Sequence, residues 1–253
     1  MSGLPLLLAK EMREQVRTLR LPVVLVVFAI LGLMSPLAAR YIKEIVDAVG
    51  GEQLQGVIPD PVVGDAIVQF TKNVGQFGIV IAILVTMGAV AGEKDQGTAA
   101  FLLTKPVSRD AFLGAKVVAI GVLLALAIAL AGALCWAYTA VLFEPVPIVG
   151  YAAAMVLVWL TLAVFAAITL LASVAARSSI VAGGIGLGAL VGAGILGAIP
   201  GLGSYLPTGL WGAAQRLALG ATPDPLIGPI AVEAAIVVMV VGLAGWAFRR
   251  QEL

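Results

Sequence analysis

Six stretches of this chain are long, apolar and almost free of charge. They run over about 22–39, 74–91, 116–142, 148–175, 180–199 and 227–248. Crossing a hydrocarbon core takes roughly 20 residues of helix, and each stretch reaches that scale. A soluble domain of 253 residues cannot hide a composition that is 61% hydrophobic and 11% charged. The sequence therefore reads as all-α: a polytopic helical membrane protein with six transmembrane helices. A cleaved signal peptide is set aside for the first run, because the segment before it is long and carries acids.

The segments between the spans have their own patterns. Residues 4–20 form an amphipathic helix by spacing: Leu8, Met12, Val16 and Leu19 share one side, and Lys10, Glu11, Arg13, Glu14 and Arg17 cover the other. Such a helix lies in the membrane interface. Residues 40–73 are a mixed polar loop. Ile42, Ile45, Val46 and Val49 have helical spacing, and a second helical stretch, Asp65 to Asn73, leads into the membrane. Pro36 is expected to kink the outer end of the first span. Phe143 to Pro147 is a tight turn, and Arg177-Ser178-Ser179 a short hinge. Residues 200–226 are apolar but full of glycine and proline, with a helix expected from Thr208 to Leu219. That helix is too short to span, so the segment reads as a re-entrant or interfacial hairpin.

Six spans put both termini on one side. That side carries 11 of the 15 lysines and arginines: Lys10 to Arg20, Lys94 to Lys116, Arg177, Arg249 and Arg250. The positive-inside rule makes it the cytoplasmic side. The expected location is the plasma membrane of a prokaryote, with a multi-pass chain and both termini cytoplasmic.

The loop over residues 93–115 is the most charged interruption on that side. With Lys116 it holds Glu93, Lys94, Asp95, Lys105, Arg109 and Asp110. Between them Thr98 to Thr104 forms a short helix that Thr98 can cap and Pro106 ends. A short amphipathic helix between two spans must rest on the lipid surface or on a soluble partner. The order Glu93, Gly97-Thr98, Pro106, Ser108-Arg109 and Lys116 resembles the cytoplasmic loop of type-2 ATP-binding-cassette exporter permeases. In that family the loop carries a coupling helix that docks into a groove on the ATPase subunit. The resemblance implies that Phe101 and Leu102 fill the partner groove and that Glu93 and Arg109 brace the loop by charge pairing. It also implies a partner ATPase binding ATP and Mg, a second permease chain (homodimer or heterodimer), and no cofactor in this chain. Residues 4–20 resemble the family's connecting helix; a simple interfacial anchor fits them equally. The 200–226 segment is comparable to the family's extracellular re-entrant element.

Enzymatic readings find little support. The chain has no histidine, which removes His-dependent triads, HExxH sites and His proton relays. Gly88 to Lys94 lacks Walker A spacing and ends a span rather than following a strand. No metal-ligand cluster stands out, and no basic cluster suggests nucleic acid. Cys135 reads as a small core residue. Ser35, Thr86, Thr161, Thr169 and Ser173 are expected to bond back to their own helices. Trp136, Tyr138, Tyr151 and Trp159 are expected at the interface or facing lipid. Gly184, Gly188 and Gly192 stack at four-residue steps and imply a close-packing face, within the chain or across a dimer. Glu233 is the one acid inside a span. It either snorkels to the outer interface, pairs with Arg216, or serves a function. The rival to an ATP-driven permease is a secondary transporter or another non-ATP-driven membrane protein.

Overall fold

The computed structural model describes residues 3–50, 59–98, 107–199, 201, 203–221 and 226–251. Among the described residues there are helices and no strands. Six helices among these residues are long and apolar enough to cross a membrane. The fold is an all-α polytopic membrane protein.

Helix α1 (Leu4–Arg17) ends where the Thr18 hydroxyl donates to Glu14 O at 2.8 Å. Leu19 then turns the chain with φ 60°, in the left-handed region. The first span, α2 (Arg20–Arg40), follows at once and runs through Pro36. Short α3 (Ile42–Gly50) comes next.

The second span starts earlier than its charge-free run suggests. Helix α4 (Val63–Asn73) has its start fixed by Asp65, whose carboxylate accepts the Val62 N–H at 2.8 Å. Ala66, Ile67, Phe70 and Thr71 are buried, so this polar-looking stretch is half core. It continues through a π turn (Val74–Gly78) into α5 (Ile79–Met87) and short α6 (Ala91–Asp95).

The third span, α7 (Arg109–Leu142), has 34 residues. At 1.5 Å per residue it is about 50 Å long, well beyond a hydrocarbon core of roughly 30 Å. It starts at the Ser108 cap, whose hydroxyl accepts the Ala111 N–H at 3.1 Å. Its first two turns thus carry Arg109, Asp110 and Lys116 on ordered helix rather than loop. Helices α8 (Ile148–Ala175), α9 (Ser179–Gly197), α10 (Pro207–Ala218) and α11 (Ile227–Arg249) complete the chain.

Helix α8 is the centre: 67% of its membrane stretch is buried, against 17% for α9 and for α11. It packs against α5, α7, α9, α10 and α11. Small residues allow close crossings. A Cβ on Gly32 of α2 would lie 2.4 Å from Ala131 O of α7, so these backbones nearly touch.

Side-chain hydrogen bonds join the spans too. Tyr151 is buried, not interfacial, and its hydroxyl donates to Gly132 O at 3.0 Å. The indole N–H of Trp159 donates to Gly121 O at 3.0 Å, and that of Trp136 to Val146 O at 3.0 Å. Cys135 is buried in the core. Ser35, Thr86 and Thr169 bond back to Leu31, Ala82 and Phe165 of their own helices. Ser173 and Thr161 instead bond across to other spans.

Candidate functional site: a charged plate at the end bearing both termini

The site is built from a break in the second span. At residues 88–90 the helix turns, which leaves backbone groups without helical partners. Ser173, near the end of α8, supplies them. Its hydroxyl accepts the Val90 and Ala91 N–H groups at 3.1 and 3.0 Å and donates to Met87 O at 2.8 Å. This capping aims α6, and with it Glu93 and Lys94.

Glu93 meets charges from two other elements. Its Oε1 accepts from Lys116 Nζ at 2.7 Å and from Lys10 Nζ at 3.0 Å. Lys116, 3% exposed, also reaches Glu11 at 3.1 Å and sits 4.9 Å from the centre of the Phe112 ring. Lys10 further pairs with Glu11 and with Glu14, each at 3.1 Å. One network thus ties α1, α6 and α7 together. Burial works against the Lys10 charge, but the Glu11 and Glu93 carboxylates outweigh it and hold its pKa above the ordinary lysine range. The Glu11, Glu14 and Glu93 carboxylates approach within 4.8 Å, a spacing a divalent cation could use. Here the ammonium groups of Lys10 and Lys116 pair with them and offset two of their three charges.

A second set of bonds holds the C-terminal end of α11. Arg109 Nη1 donates to the carbonyls of Phe248 at 3.0 Å, Arg249 at 3.1 Å and Gln251 at 2.5 Å. A guanidinium there suits the partial negative charge of a helix C-terminus. Phe112 stacks on Phe248 with centroids 5.4 Å apart, and Arg249 pairs with Asp110 at 2.7 Å. Lys94 bonds Val174 O and the Gln251 side chain.

The expected residues are therefore distributed as follows. Glu93 and Lys116 come together. Arg109 does not pair with Glu93; it caps the last span, because α7 begins at Arg109 and points that side chain at α11. Gly97 has φ +69°, which glycine tolerates without strain. The Thr98 hydroxyl donates to Glu93 O at 3.1 Å, back toward α6. Phe101, Leu102 and Pro106 lie outside the described residues. Sequence reasoning missed Ser173 and the roles of Lys10 and Glu11; the polar face of α1 was the one available signal for the last two.

Inside the membrane one expectation is narrowed and one corrected. A Cβ on Gly184, Gly188 or Gly192 would meet nothing within 4 Å, so among the described residues nothing packs on that face, and packing across a dimer is the other reading of it. Gly183 and Gly186 make the close approaches instead: a Cβ on Gly186 would lie 2.5 Å from Thr169 Oγ1 and 2.9 Å from Ile83 Cγ2. Glu233 does not snorkel. It is fully buried, and its carboxylate oxygens lie 3.4 and 3.3 Å from the Thr161 hydroxyl, not against Arg216.

The described residues form a six-span helical bundle with a charged plate at the end bearing both termini. A family model described as ABC-2 family transporter protein matches residues 6–209, and the chain belongs to this family. It is thus the membrane component of an ABC transporter. It is similar to the uncharacterized transmembrane protein YxlG of Bacillus subtilis (strain 168), at 27% identity over 255 residues and 97% of each chain.

Proposed function

We propose that this chain is the permease subunit of an ATP-driven exporter. A separate ATP-binding-cassette subunit binds and hydrolyses ATP with Mg, and two permease chains pair in the plasma membrane with their termini in the cytoplasm. Closure of the ATPase dimer pushes on the loop between α6 and α7. ATP acts by binding one conformation more tightly than the other.

The observation that carries this reading is the ion-pair network of Lys116, Glu93 and Lys10. It joins the two helices flanking the loop to α1. With the Ser173, Lys94 and Arg109 bonds, a push on the loop reaches the second, third, fourth and last spans together. A loop that only rested on lipid would need no such bracing.

The test is association with the ATPase, whose cognate Walker A protein is sought by co-purification. Phe101→Asp sits between the spans and should leave insertion unchanged while abolishing recovery of the ATPase and transport. Equal recovery by wild type and Phe101→Asp would sink the coupling role of this loop.

A further inference from the structure

A cavity of about 280 Å³ lies among the second, fourth and fifth spans beneath α10. Ile79, Phe165, Leu190 and Gly194 form much of its wall, and Trp211 lines it from α10. The indole N–H of Trp211 is already taken by Thr71 O at 3.0 Å. Thr161, midway along α8, is the one hydroxyl side chain in the lining.

That hydroxyl is also the hydrogen-bond partner of Glu233, at 3.3 Å. Glu233 is 0% exposed, and among the described residues it forms no ion pair. An acid inside a span is rare, and usually faces a partner charge or a pathway. Among the described residues no such partner charge reaches Glu233, and Thr161, its hydrogen-bond partner, lines the cavity.

The wall chemistry narrows the ligand. Apolar and aromatic surface suits an apolar body. The rings of Trp211 and Phe165 suit a cation with a diffuse charge. The carboxyl behind Thr161 disfavours anions. We infer that this cavity binds a small lipophilic organic cation, with Glu233 supplying the counter-charge through Thr161. As a substrate site it rests on the transport reading above; as a binding site it stands on the geometry.

The experiment uses the purified permease in nanodiscs without any ATPase, so its outcome is separate from the association test. The probes are benzyltrimethylammonium and neopentylbenzene, which share a shape and differ in charge. Wild type should bind the cation saturably and in preference to the neutral isostere. Glu233→Gln should weaken the cation roughly tenfold or more and leave the neutral probe unchanged. Thr161→Val should weaken the cation as well. Glutamine can still bond Thr161, so Glu233→Gln should run and melt like wild type. Absent or charge-blind binding by wild type overturns the inference, as does equal cation affinity in wild type and Glu233→Gln.

Discussion

Lys116 Nζ lies 2.7 Å from Glu93 Oε1, with the lysine almost fully buried beneath α1. Removing one member of such a pair strands the other charge. Lys116→Met should therefore destabilise the chain by about 3 kcal/mol and release α1 from the bundle. Adding Glu93→Gln should recover part of that loss. Thermal unfolding in detergent, with limited proteolysis of α1, measures both; an unchanged melting point in Lys116→Met would mean the pair is ornamental.

The glycines of the fifth span separate two kinds of packing. Gly186→Leu should destabilise the single chain, by roughly 1–3 kcal/mol, since it collides with Thr169 and Ile83. A Cβ on Gly188 meets nothing within 4 Å among the described residues, so Gly188→Leu should leave the fold intact. If the proposed dimer uses that face, Gly188→Leu lowers the dimer fraction in native mass spectrometry. A full dimer fraction would assign the face to lipid.

Trp211 latches α10 onto the second span. Its N–H reaches Thr71 O, its ring lies on Gly75, and Gln215 donates to the Thr71 hydroxyl at 2.7 Å. Trp211→Phe keeps a ring but loses the hydrogen bond, and should cost about 1 kcal/mol. Gly75→Ala puts a Cβ 2.9 Å from the ring and should disturb the same latch. Both are read from hydrogen exchange of α10, and wild-type protection in Gly75→Ala would rule the latch out.

Topology is tested at Ser108. With the buried Cys135 replaced, Ser108→Cys should react with an impermeant thiol reagent only after the cells are opened, because the basic residues gather on that side. Labelling from outside intact cells would invert the proposed orientation.

What the sequence shows well is what depends on solvent. Five of the six apolar runs carry no charge internally, and the last carries only Glu233, so the spans are plain. What it shows poorly is which side of a helix meets which neighbour. Gly184, Gly188 and Gly192 do share a face by spacing, but Gly183 and Gly186 form the contact, because the position of Ile83 and Thr169 decides it. Ser173 and Thr161 look like Thr86 and Thr169, and only tertiary placement gives them partners on other spans. Glu93 has four cations downstream in or beside its loop, Lys94, Lys105, Arg109 and Lys116; α7 turns Arg109 to the last span and brings Lys116 to Glu93.

The π turn at Val74–Gly78 holds one residue more than an α-helical path would need. Each residue turns a helix by about 100°. The turn thus sets the rotational phase between the half of the second span gripped by Trp211 and the half that ends at Glu93. Deleting a single residue there would swing Glu93 by roughly a quarter-turn or more away from Lys116 and Lys10, without touching any of the three. The spelling of five residues in the second span thereby governs whether a charge some 15 residues downstream finds its partners.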